Sequence, residues 1–296
     1  MKVMKIGYPC INYSVHGIMR TFRLHNFSLA KHTAVIEENL ANLQKILEFN
    51  HANHIKFFRI SSQIIPFASH PICQLNWQKQ FESQLAHIGT TIQKNNVRIS
   101  MHPDQFVVLN SPMQSVFTRS IAELVYHAEF LNLLGLNRTA KIQIHLGGVY
   151  QNKKDSMVRF CQNYQNLSAM IKERLVIEND DHLYSVQDCY RVYQQIKIPI
   201  IFDNLHHQCL NNGETIHQAL ALCSSTWEKI DGKPMVDYSE QQKGSRLGKH
   251  AEHLDENKFK KFLLATAGLT YDLMLEIKDK ELSVIKAKKI IDRICQ

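Results

Sequence analysis

Residues 97–109 read VRISMHPDQFVVL. Apolar side chains alternate at Val97, Ile99 and Met101, the run ends on His102, the chain turns at Pro103, and Asp104, Gln105 and Phe106 follow. Period-2 alternation predicts a strand. A strand that ends on an imidazole and opens into a polar and aromatic turn raises a question about the rest of the chain: how often does the pattern recur? Short β-rich runs also occur at 4–9, 55–61, 141–146, 174–179, 199–204, 234–239 and 271–277. Helical stretches lie between them. Residues 33–50 place Val35, Ile36, Leu40, Leu43, Ile46 and Leu47 on one stripe, and 114–134, 156–172, 214–223 and 281–295 have similar character. Eight strands, each followed by a helix or by a connection long enough to hold one, predict an α/β fold, a single (β/α)8 TIM barrel over residues 1–296. No GxGxxG follows the first run, which counts against a doubly wound dinucleotide-binding sheet.

Composition agrees with one domain. The chain has no Pro- or Ser-rich linker and no low-complexity segment, and 44% hydrophobic with 21% charged residues suits a globular protein with a large core. No run approaches the roughly 18 apolar residues of a membrane helix, and the N-terminus lacks a signal-like apolar stretch, so the expected location is the cytoplasm. Seven cysteines, an odd number without a CxxC, exclude a disulfide framework and a zinc ribbon and are expected as reduced, mostly buried thiols. A net charge of +8 is by itself a weak pointer to a polyanionic partner.

In such a barrel, chemistry gathers where the strands end. Those ends carry Tyr8 to Asn12, Ser61 with Ser62, His102, His145, Glu178, Asp203 with His206, Asp237, and Glu276, and the second leads on to His70. One histidine at a strand end is commonly a core residue. Convergence of seven polar or metal-capable ends on one mouth is harder to account for that way. Imidazole mixed with carboxylate suits zinc, manganese or iron, and clustered cations suit a phosphate during in-line displacement. The loop GKHAEHL adds His250, Glu252 and His253. Arg20, Arg23 and Arg59 are candidate phosphate contacts, with Lys243, Arg246 and Lys249 as further cations.

The motifs GYPCIN, FRISSQIIPFASHP, HPDQFVVLNSP, IHLGG, VIENDD, FDNLHH and LEIKDKE, in this order, resemble the UV damage endonuclease family along nearly the whole chain. That family is similar to endonuclease IV and to xylose isomerase-like barrels. The resemblance implies double-stranded DNA carrying UV photoproducts as partner, at the nucleoid of a bacterial-type cell. It also implies cleavage immediately 5′ of the lesion to leave a 3′-hydroxyl and a 5′-phosphate, and a divalent metal cluster, manganese foremost, with zinc or mixed occupancy as options. Position by position it implies metal contacts from His102, His145, Glu178, Asp203, His206, His250 and Glu276, catalytic positions at His70, Tyr8 and Asn12, and lesion probing by Gln105 and Phe106. One stretch departs: PMVDYS puts Met235 and Asp237 where the family has lysine and histidine, and Asp237 is expected to bind metal through oxygen. Alternatives are an abasic-site endonuclease, a metal-dependent sugar isomerase-like barrel, and a DNA-binding barrel without catalysis. No protein partner is readable.

Overall fold

The computed structural model describes residues 4–295. Eight parallel strands close into a barrel in sequence order. They are β1 (Ile6–Pro9), β2 (Phe57–Ser61), β3 (Arg98–His102), β4 (Lys141–His145), β5 (Leu175–Glu178), β6 (Ile200–Asp203), β7 (Met235–Tyr238) and β8 (Asp272–Leu275). Each is followed by a long helix: α1 (Leu29–Ala52), α2 (Glu82–Lys94), α3 (Gln114–Leu133), α4 (Lys153–Gln165), α5 (Val186–Ile196), α6 (Ile216–Ser224), α7 (Glu256–Ala265) and α8 (Glu281–Cys295). The stretch expected as one helix over 156–172 is broken: α4 stops at Gln165 and a separate turn of helix runs Ala169–Lys172. Capping boxes fix the starts of α5, through Ser185 and Asp188, and of α6, through Thr215 and Gln218. No helix among the described residues is long and apolar enough to cross a membrane. Of the six described cysteines all are free thiols, with Cys161, Cys189 and Cys223 buried and the rest half-buried.

The barrel interior is stratified, and the period of a strand explains how. Phe57, Val176, Ile201, Met235 and Met274 form a buried apolar plug of their own, separate from the main core between sheet and helices. Two residues further along the same strands stand Arg59, Glu178, Asp203, Asp237 and Glu276. Successive side chains alternate between faces, so each plug residue shares the interior face with the charged residue above it. Met235 thus belongs to the dry floor beneath the mouth. Gly7 marks how tightly this interior is packed, because a Cβ there would stand 1.7 Å from the Phe57 carbonyl oxygen.

Below the plug, at the strand starts, a second polar layer closes the barrel. Arg98 donates to Asp272 at 2.8 Å, and Lys141 donates to Asp231 at 2.6 Å and to the Glu173 carbonyl at 2.9 Å. Burial pulls the Lys141 pKa down to about 8 in spite of Asp231 beside it. Deleting one member of a buried pair strands the other, so Lys141→Met is expected to cost about 3 kcal/mol in urea denaturation at neutral pH. The unfolded chain keeps its lysine proton up to the usual 10.5 while the folded one releases it near 8, so this group raises wild-type stability across that window. The gap between wild type and Lys141→Met should therefore widen with pH. A gap that narrows above pH 8 would contradict the assignment.

Candidate active site

The strand ends surround a cavity of about 940 Å³ lined by Arg59, His102, His145, His206, His250 and Glu276 among others. Adjacent strands bring the donors level: His145 pairs in register with Glu178, and Asp203 with Asp237. Glu178 is the hub. Its Oε2 lies 3.5 Å from His102 Nε2 and 3.7 Å from His145 Nε2, and its Oε1 lies 3.1 Å from His206 Nδ1. Three sets of donor atoms each fall within 4.8 Å of one another; two of them, His102/His145/Glu178 and Glu178/Asp203/His206, share Glu178, and the third, Asp180/Asp181/His182, lies on the cavity wall. His250 and Glu276 stand to one side, with His250 Nδ1 3.6 Å from Glu276 Oε2.

Main-chain carbonyls hold three of the rings. Nδ1 of His102 donates to Pro103 at 3.0 Å, that of His206 to Asn179 at 2.9 Å, and that of His250 to Glu276 at 2.8 Å. A carbonyl oxygen only accepts, so the proton of the neutral ring sits on Nδ1; His102 and His250 thus leave the Nε2 lone pair to a ligand, and His206 does so once a ligand displaces its second proton. Asn179 also ties down the next strand end: its Oδ1 accepts from the Asp203 amide at 2.9 Å and its Nδ2 donates to the Asp203 carbonyl at 3.1 Å. The Asp203 side chain caps the short helix Asn204–Cys209 that carries His206, accepting from the His206 amide at 2.6 Å.

The charges crowd one another. Burial alone would raise Glu178, but His145, His102 and His206 hold it well below the usual carboxylate range. Burial together with Glu178, Glu276 and Asp237 lifts Asp203 well above it, against the pull of His206. Burial opposes charge on His206, yet Asp203 and Glu178 push it up to about 11. Asp203 Oδ2 is buried with no partner among the described residues, as is His145 Nδ1. Orphaned buried polar atoms are rare in folded proteins. An unpaired carboxylate oxygen, free Nε2 lone pairs and a shared glutamate are the donor set a pair of divalent cations requires, so the residues fit such ions.

The chain is similar to known proteins over most of its length. A UV DNA damage endonuclease of Clostridium perfringens is 41% identical across 96% of this chain and 69% of its own. One of Bacillus mycoides is 33% identical across 84% and 79%. The crystal structure of SacUVDE superposes with a TM-score of 0.94 at 44% identity, covering 99% of both chains. The model of the family UV-endonuclease UvdE matches residues 4–295. The chain belongs to that family. Membership makes it a DNA-repair endonuclease on a TIM barrel. Endonuclease IV of Thermus thermophilus, with a TM-score of 0.58 at 14% identity, shares the fold alone.

Within this UvdE barrel the expected residues part company. His102, His145, Glu178, Asp203 and His206 meet in the two donor sets, with His250 and Glu276 beside them. Asp237 is spent elsewhere, because both of its oxygens accept from Arg59 Nη2, at 2.9 and 2.8 Å. Arg59 in turn corrects its own expectation: it is 3% exposed and ion-paired with Asp237 and Glu276, which makes it no surface phosphate contact. Tyr8 points outward from the barrel, donating to Asn50 of α1 at 2.7 Å, and buried Asn12 donates to the Tyr8 hydroxyl at 2.6 Å. They brace β1 against α1 and do not face the mouth. His70 is exposed, its Nδ1 accepts from the Ile72 amide at 3.0 Å, and it is absent from the cavity lining.

Gln105 lines the cavity and Phe106, 52% exposed, stands beside it in the turn. Arg20 and Arg23 are exposed, Arg20 in an ion pair with Glu38. Of GKHAEHL only Gly248, Lys249 and His250 line the cavity mouth wall, namely the loop's first half; His253 pairs with Asp279. Several residues were missed, Gln143, Asn179, Lys280 and the Asp180–His182 stretch of the cavity wall among them. Gln143 stands two before His145 on the same strand, so strand period alone would have found it. Asn179 directly follows Glu178, and Lys280 adds a cation to the cavity wall. Removing the Asn179 amide would take the side-chain partner from the buried Asp203 amide. Asn179→Ala should lower stability by about 1–3 kcal/mol in urea titration, and a loss below about 0.5 kcal/mol would sink this role.

Proposed function

We propose that the chain hydrolyses the backbone of double-stranded DNA immediately 5′ of UV photoproducts, leaving a 3′-hydroxyl and a 5′-phosphate. Divalent cations, manganese foremost, would be held by His102, His145, Glu178, Asp203 and His206, with His250 and Glu276 at the rim. The observation that supports it most is the pair of donor sets sharing Glu178 beneath an open cavity, with Asp203 Oδ2 buried and unpaired. The relatives named UV DNA damage endonuclease support the lesion. Cations bound there would neutralise charge on the phosphate and lower the pKa of the attacking water. The rest falls to the side chains. Carbonyl anchors on His102, His206 and His250 hold the rings in one tautomer, and the apolar plug keeps water out of the floor. Lys249, Lys280 and Arg246 along the cavity wall attract the strand. An exposed Gln105–Phe106 turn beside the cavity enters the space left when damaged bases swing out, where lost stacking makes flipping least costly. Acting on DNA, the enzyme works in the cytoplasm, at the nucleoid.

The test is incision of a defined duplex carrying one photoproduct, beside unirradiated and abasic duplexes, with manganese and with chelator. Manganese-dependent cutting at the 5′ side of the photoproduct is expected, and His145→Ala should slow it on the order of 10²-fold or more. Cutting confined to the abasic duplex, or undiminished by chelator, would overturn the proposal. A Gln105→Ala, Phe106→Ala double variant should lose preference for irradiated DNA while its metal content stays that of the parent. Equal incision by variant and parent would remove the probing role.

A further inference from the structure

Asp203 and Asp237 are register partners on neighbouring strands, both fully buried, yet they are bonded in opposite ways. Asp203 keeps Oδ2 unpaired. Asp237 gives both oxygens to Arg59 Nη2 and takes a further bond from Gln143 Nε2 at 2.5 Å. Arg59 reaches across the barrel from β2 and spends its other amino group on Glu276 Oε1, while Nη2 also meets Gln143 Oε1 at 2.8 Å. Gln143 passes the connection on by donating to Glu178 Oε2. One guanidinium therefore touches Asp237 and Glu276 directly and Glu178 through one amide.

We infer that Arg59, braced by Asp237, is a built-in cation that positions the carboxylates of Glu276 and Glu178 and fills the place a further metal ion would need, so that the mouth takes two divalent ions and Asp237 is not a ligand. This rests on the reading of the mouth as a divalent-metal centre. A guanidinium is well suited to that role, since its charge is permanent and its planar fork meets several acceptors in fixed directions. A buried aspartate beside a half-buried glutamate needs a positive neighbour, and Arg59 meets that need without exchange with solvent. Asp237 belongs to neither donor set, as expected of a brace. The plug residue beneath it, Met235, supplies no donor that would draw an ion to this side. Arg59 and Asp237 are thus positioning residues, acting through the glutamates.

Metal content of the full chain after manganese loading and dialysis, measured by elemental analysis together with the manganese EPR spectrum, decides the matter. The wild type should hold about two ions per chain with an exchange-coupled spectrum from ions bridged by Glu178. Asp237→Asn, nearly isosteric, should keep about two ions and the coupled spectrum, whereas Asp203→Asn should fall to about one with the coupling lost. Arg59→Met, if it folds, should admit a further ion between Asp237 and Glu276, and Arg59→Lys should not. Three ions in the wild type, or loss of an ion and of coupling in Asp237→Asn, would overturn the inference and leave the metal reading intact. A wild type that binds no manganese would overturn both.

Discussion

Everything at the mouth of this barrel depends on one buried guanidinium. Glu178, Asp203, Asp237 and Glu276 converge in a space that is at most partly wetted, and desolvated like charges at such spacing are costly. Arg59 offsets Asp237 and Glu276 together, holding Glu276 at about 2 against burial, while burial still lifts Asp237 to about 7 against its pull. The charge that remains, on Glu178, is met by imidazoles in the protein alone, and Asp203, whose ionisation burial opposes, is left to divalent ions in the proposed working state. The arrangement divides four acids into two that the fold neutralises and two that it leaves to the ligand.

That division is possible because the barrel interior is layered. At the strand starts, Arg98 with Asp272 and Lys141 with Asp231 close one end through ion pairs. The apolar plug separates this layer from the mouth and gives Arg59 a dry floor to lie on. At the strand ends two atoms able to bind a cation, Asp203 Oδ2 and His145 Nδ1, lack partners among the described residues, whereas the atom left over from the Arg98 pair is Nε, a donor only. The contrast separates a face that carries stability from a face that carries chemistry. It also explains why the helices contribute caps and packing, whereas the site is built from the residues that end strands.

Much of this was legible in the sequence, and the parts that were not share a physical cause. The eight strands declared themselves by alternation and by the helices between them, and the donors His102, His145, Glu178, Asp203 and His206 by standing where strands end. What period 2 does not fix is its phase in a strand buried on both faces. β1 is buried at all four positions, so nothing in GYP said whether Tyr8 or its neighbours face inward. Gly7, pressed against Phe57, settles it and sends Tyr8 to α1. Arg59 was misread for a different reason: its partners lie on β7 and just past β8, with sequence separations of 178 and 217. Only closure of the barrel reveals that a cation in FRIS and an acid in MVDYS neutralise one another. His70 illustrates a third limit, because its position in a loop between β2 and α2 leaves its direction to local turns that no periodicity records.

The most direct measurement is an anomalous diffraction map of manganese-soaked crystals collected at the manganese edge. Two peaks flanking Glu178, one against His102 and His145 and the other against Asp203 and His206, with Arg59 still lying between Asp237 and Glu276, is the predicted result. A peak in place of the Arg59 guanidinium with Asp237 among its ligands, or a mouth without any peak, would contradict the account.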